Sequence, residues 1–142
     1  MPQGELAVTF VQWNDSLKIG LSGIDQEHRQ LSQAINDLHA SLVDQSPQAR
    51  TGLLLQQMVE CTRAHFANEE SMMAQHRYPG MALHALKHEH LLQQVDALKN
   101  RFNRGGFPLN EYSLTFLRDW FTVHVQNEDR NFGVWIREHA GR

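Results

Sequence analysis

At 142 residues the chain has room for one domain with a substantial core and little room for a second. Its formal charge is -3, and acidic and basic side chains are interspersed without a run of Lys or Arg, which argues against a nucleic-acid or anionic-membrane surface. No stretch is apolar for long enough to span a bilayer, the opening Met1 to Phe10 lacks the pattern of a secretory signal, and the single Cys61 can form no internal disulfide, so a cytoplasmic setting is expected.

In chain order, residues 1–21 alternate weakly and contain Trp13; they are expected to form an extended arm packed over one end of a helical bundle. Ser22-Gly-Ile-Asp25 has the spacing of a capping box and opens a first helix that the apolar pattern carries to about Val43. After Asp44-Gln-Ser-Pro47, with Ser46 as N-cap and Pro47 in the first helical position, a second helix runs to about His76. Tyr78-Pro79-Gly80 breaks it. A third helix spans roughly Met81 to Asn103 and stops at Arg104-Gly-Gly106, where glycine tolerates a left-handed cap. Pro108 and Asn110 restart the chain, a fourth helix follows from about Glu111 to Asn127, and Asn131 to His139 forms a short terminal helix. The expected fold is all-α: an antiparallel up-down four-helix bundle over 22–130, preceded by the arm and followed by a terminal helix and tail over 131–142, all one domain.

Seven side chains that can bind metal are His28, His65, Glu69, His84, His88, His124 and Asp129, and the first six fall on the stripes that should face the bundle core. The stripe of the first helix reads Ile24, His28, Leu31, Ile35, Leu38, Leu42, and that of the second reads Leu54, Met58, Cys61, His65, Glu69. The third reads His84, His88, Leu91, Val95, Leu98, Phe102, and the fourth reads Leu117, Trp120, His124. Residues four apart share a helix face, so His65 with Glu69 and His84 with His88 each point two donors the same way. Unpaired polar groups there would cost roughly 1 to 3 kcal/mol each in desolvation, a cost that coordination removes. Imidazole and carboxylate suit zinc, manganese or cobalt as well as iron, so spacing alone leaves the metal open.

Asp129 fits less simply. Five residues of ideal helix turn about 500°, which leaves His124 and Asp129 roughly 140° apart. Irregular backbone is therefore expected between Val125 and Asp129, either a π-bulge or a helix ending near Asn127.

With these motifs in place, the chain resembles the hemerythrins, in particular the bacterial single-domain kind. The resemblance runs over nearly the whole length, through Trp13 and Gly20, Ile24-Asp-Gln-Glu-His28, His65-Phe-Ala-Asn-Glu-Glu70, Tyr78-Pro79, His84-Ala-Leu-Lys-His88 and Trp120-Phe-Thr-Val-His-Val-Gln-Asn-Glu-Asp129. It implies a non-haem di-iron centre with an oxo or hydroxo bridge. By position, His84, His88 and His124 would hold one iron, His28 and His65 the other, and Glu69 and Asp129 would bridge them. Counting donors then leaves the open position on the two-histidine iron, where hemerythrins bind O2. The resemblance also places Leu31, Phe66, Trp120, Phe121 and Val125 as an apolar wall around it; leucine is common where this chain has Phe121. The implied function is reversible O2 binding for carriage, storage or delivery, not enzymatic turnover. The alternatives are an oxygen or redox sensor acting through a partner protein, and a di-iron oxidase, peroxidase or NO-reducing enzyme. A monomer is expected, with an unidentified protein recipient and no nucleic-acid or membrane partner.

The other polar candidates have plainer readings. His76, His90 and His139 fall off the stripes and are expected to be solvated, and His39 belongs near a bundle end. Glu70 points about 100° away from Glu69 and is expected at the surface or behind a ligand. Cys61, Met72 and Met73 read as packing residues and Trp13 and Trp135 as bundle-end caps.

Overall fold

A computed structural model describes residues 10–105 and 109–139. Four helices form the bundle, α1 over Ser22–Val43, α2 over Gln48–Gln75, α3 over Met81–Asn103 and α4 over Glu111–His124. A π-helical turn, Val125–Asp129, then leads without a break into α5, Arg130–His139. There is no strand among the described residues, and no helix is long and apolar enough to cross a membrane. A main core runs the length of the bundle through Leu31, Ile35, Leu38, Leu55, Met58, Val95 and Leu114. A smaller cluster of Met73, Phe132 and Ile136 fastens α5 to the end of α2.

The starts and stops have local causes. Gly105 follows α3 with φ +71, a left-handed backbone in which glycine carries no Cβ penalty. Asn110 opens α4 by accepting the Ser113 N–H on its side-chain oxygen at 3.1 Å. Gly106 and Pro108 lie outside the described residues.

Four expectations need correction. No capping box forms at α1: Leu21 is the N-cap, Ser22 is already helical, and the Asp25 carboxylate accepts the N–H groups of Ile19 and Gly20 at 2.8 and 3.2 Å. The arm's last turn aims those donors at the helix start, where a carboxylate is also favoured by the helix dipole. At α2, Pro47 itself is the N-cap and its carbonyl accepts from Arg50 and Thr51, so Ser46 caps nothing. The buried stripe of α2 passes through Leu55, Val59 and Thr62 beside Met58 and His65, which leaves Leu54 and Cys61 half-buried. The last correction concerns the arm's path.

The described part of the arm, residues 10–21, lies lengthwise in a groove between α1 and the α4–α5 rod rather than over one end, and residues 1–9 lie outside the described residues. Val11 exchanges hydrogen bonds with the Asn36 side chain at 2.7 and 2.9 Å, and Phe10 stacks on His39 with Arg118 over its ring. Further along, Ser16 accepts from Gln126 and Arg130, Lys18 from Arg130, and Ile19 from Arg137. Val11, Leu17 and Ile19 are buried there, so the arm supplies core side chains and its free carbonyls find guanidinium donors. Gly133 permits the approach, since a Cβ at that position would stand 2.5 Å from the Ile19 carbonyl oxygen.

Candidate metal centre

In an antiparallel bundle α1 and α3 begin at the end where α2 and α4 finish. His28 and the pair His84 and His88 therefore meet His65, Glu69, His124 and Asp129 at one level of the core. The seven residues are all buried. Their donor atoms fall into two groups, each within 4.8 Å: Glu69, His84, His88, His124 and Asp129 in one, and His28, His65, Glu69 and Asp129 in the other. Both carboxylates belong to both groups. The π turn is what admits Asp129, because the wider winding brings a residue five positions after His124 back to the same face. Asn127 accompanies the turn by donating to the Val123 carbonyl at 2.8 Å.

Several contacts inside the cluster are close without being hydrogen bonds. His28 Nε2 lies 2.9 Å from Asp129 Oδ2, yet neither atom has a hydrogen-bond partner among the described residues, because they are not aimed along the line joining them. His28 Nδ1, His65 Nε2, Glu69 Oε2 and Asp129 Oδ1 are buried in the same condition. Unpartnered atoms at this density are uncommon in a core and cost roughly 1 to 3 kcal/mol each.

A second ring of carboxylates fixes which nitrogen faces inward. Glu27 accepts from His65 Nδ1 at 2.7 Å, Glu70 from His88 Nδ1 at 2.7 Å and Glu128 from His124 Nδ1 at 3.2 Å. An ionised carboxylate can only accept, so in the neutral imidazole the proton sits on Nδ1 and Nε2 is bare. Two of those bare nitrogens converge, His88 and His124 Nε2 at 3.0 Å, and His84 Nε2 lies 3.1 Å from that of His124. Lone pairs cannot satisfy one another, and a cation between them can. This donor set, with its orphaned oxygens, fits a pair of metal ions.

The electrostatics agree. Burial opposes ionisation of Asp129, but the imidazoles of His124, His28 and His84 beside it outweigh that and hold its carboxyl well below the usual range. Burial likewise disfavours charge on His84, yet Asp129 at 2.8 Å and Glu69 at 2.9 Å raise its pKa to about 9. The two carboxylates thus demand positive charge at the cluster, the place a metal would fill. Glu27, drawn down chiefly by its hydrogen bond to His65, stays ionised as an acceptor.

Of the five wall residues, Leu31, Phe66, Phe121 and Val125 are buried and Trp120 is half-buried. Phe121 meets His28 edge-on at 5.9 Å between ring centroids. Phe66 stacks on His88 at 3.7 Å and 2°, and Trp120 on His124 at 4.4 Å and 16°. Two of the rings thus lie flat on imidazoles of the three-histidine group. Sequence reasoning did not single out Glu27 and Glu128. Each is the chain neighbour of a proposed ligand, which is the one signal that could have marked them.

Comparison with known proteins agrees with this arrangement. The family model of the hemerythrin HHE cation binding domain matches residues 20–136. A bacteriohemerythrin of Stenotrophomonas maltophilia is 31% identical over 135 residues, covering 95% of this chain and 87% of that protein. A myohemerythrin of Sipunculus nudus is 31% identical over 117 residues, covering 82% and 86%. The crystal structure of a wild-type hemerythrin superposes with a TM-score of 0.83 at 23% identity, over 87% of this chain and 95% of that one, and so shares the bundle. Fold, donor set and sequence converge on one conclusion: the chain belongs to the hemerythrin family.

Proposed function

We propose that this protein binds O2 reversibly at a non-haem di-iron centre, for oxygen carriage, storage or delivery. The observation that carries the reading is the pair of donor groups that share Glu69 and Asp129 but hold unequal numbers of imidazoles, three against two. His84, His88 and His124 would hold one iron and His28 with His65 the other, with Glu69 and Asp129 across both. Bound there, the iron pair would supply an open position for a diatomic ligand on the two-histidine side and the electrons its reversible binding takes.

The chain's own residues do the rest. Glu27, Glu70 and Glu128 keep three imidazoles in the tautomer that presents Nε2. Leu31, Phe66, Trp120, Phe121 and Val125 surround the donors with apolar surface that excludes water and the protons it carries. Neutral imidazoles donate less charge than carboxylates, so a histidine-rich set favours reversible binding over substrate oxidation. Because α1, α2, α3, α4 and the π turn all contribute donors, the same reading makes the chain one functional domain. It works as a monomer that passes oxygen to a recipient protein.

The test is a visible spectrum of the iron-loaded, anaerobically reduced protein, taken before air is admitted, after it, and again once oxygen is removed. The reading expects a charge-transfer band that comes and goes with oxygen. Rapid irreversible conversion to a ferric spectrum would favour an oxidase or peroxidase role instead.

A further inference from the structure

We propose that the two halves of the centre fill in a fixed order, the three-histidine half taking the first metal ion and holding it more tightly. This rests on the dinuclear reading above. Both halves use Glu69 and Asp129, so any difference between them comes from the imidazoles and from how closely Glu69 approaches each side.

The three-histidine half is the more closely assembled of the two. Its three Nε2 atoms stand 3.0 and 3.1 Å apart, and Glu69 Oε1 sits among them, 2.9 Å from His84 and 3.2 Å from His88. His88 is held at its edge by Glu70, 2.7 Å away, and on its face by Phe66. His124 is held at its edge by Glu128 and on its face by Trp120, and Lys87 braces Glu128 at 3.3 Å.

The two-histidine half is looser. Asp129 approaches both sides alike, 2.9 Å from His28 and 2.8 Å from His84, but Glu69 Oε2 is 3.9 Å from His28 Nε2 and 3.8 Å from His65 Nε2, well short of the Glu69 approach on the other side. His65 has Glu27 behind it, but His28 Nδ1 is buried with no hydrogen-bond partner among the described residues, and its aromatic neighbour Phe121 stands edge-on. Losing one outer partner of a ligating histidine typically lowers metal affinity about 10- to 100-fold. Each half holds one imidazole without an outer carboxylate among the described residues, His84 on one side and His28 on the other. The three-histidine half therefore outranks its neighbour through its extra imidazole donor, the closer approach of Glu69 and the rings stacked on His88 and His124. When metal is scarce, the chain accumulates a one-metal form filled on the three-histidine side.

The experiment is a Zn2+ titration of the metal-free full-length protein, followed by native mass spectrometry and calorimetry. At one equivalent the expected species is the one-zinc chain, and the second zinc binds in a separate, weaker step. His28→Ala should keep the first equivalent and lose the second, whereas His84→Ala should lose the tight one. The pair Glu70→Ala with Glu128→Ala should weaken the first step about 10- to 100-fold, and glutamine at both positions, which still accepts from Nδ1, should restore part of it. Loading in a single concerted step, with no one-zinc chain at one equivalent, would overturn the order, as would loss of the first equivalent in His28→Ala. A wild-type chain that takes up no zinc would sink the dinuclear reading and the order together.

Discussion

Phe121 stands edge-on to His28 with 5.9 Å between ring centroids, on the side where the proposed open position lies. Its ring fills space that a leucine would leave partly free, and it makes none of the polar contacts of the centre. Phe121→Leu and Phe121→Ala should therefore change oxygen association and autoxidation rates while iron per chain stays at the wild-type level. Unchanged kinetics in both variants would remove Phe121 from the pocket. Cys61 makes a second residue-scale case. Burial pushes its thiol above the usual range and the Glu27 charge adds to the shift, so the thiolate fraction near neutral pH is smaller than in the unfolded chain. Iodoacetamide should label native Cys61 more slowly than the denatured protein, and the gap should close only as pH rises past the ordinary thiol range. Equal labelling at neutral pH would contradict the burial. At this scale six of the seven proposed ligands were legible because each breaks an apolar stripe, and Asp129 is the exception. Glu27 and Glu128 were not legible. Glu27 adjoins His28 in sequence but serves His65 on another helix, a pairing that only helix packing creates.

Among the elements, the π turn matters most to the centre, since Asp129 reaches it only through the extra residue in Val125–Asp129. Deleting Asn127, which is exposed, leaves Asp129 four residues after His124 on an ordinary helix and still on the same face. That variant should keep its metal. Inserting one alanine after Asn127 instead turns Asp129 by about a further 100° and should cost bound metal. Metal per chain by native mass spectrometry separates the two, and equal stoichiometry in both would show that Asp129 is not needed. The irregular winding was readable from the five-residue spacing, and the bounds of α3 from Tyr78-Pro79-Gly80 at one end and Arg104-Gly105 at the other. The start of α1 misled, because Ser22 and Asp25 have capping-box spacing while the real partner of Asp25 is the backbone of the arm. Helix patterning carries no information about a neighbouring segment that runs alongside.

Over the whole molecule the centre and the core are separable. The main cluster from Ile35 to Leu114 packs apolar side chains that need no metal, while the donors at one end carry orphaned nitrogens and oxygens that do. Chelation should therefore leave the helices largely formed but lower thermal stability. At a free metal concentration 100 times Kd the linkage is roughly 2.7 kcal/mol, which for a domain of this size corresponds to a Tm drop on the order of 5–10 °C. A melt unmoved by chelation would mean that the orphaned atoms are satisfied in some other way. The antiparallel bundle itself followed from four long amphipathic segments and short turns. The course of the arm did not, since its weak alternation fits a groove and a bundle end equally well, and guanidinium groups of Arg130 and Arg137 decide between them. The central claim is that Glu69 and Asp129 join two unequal sets of imidazoles into one centre. Its most direct test is a crystal structure of the iron-loaded protein with anomalous scattering at the iron edge. The account predicts two iron peaks, one against His84, His88 and His124 and the other against His28 and His65, both in contact with Glu69 and Asp129. A single peak, or iron bound away from these seven side chains, would contradict it.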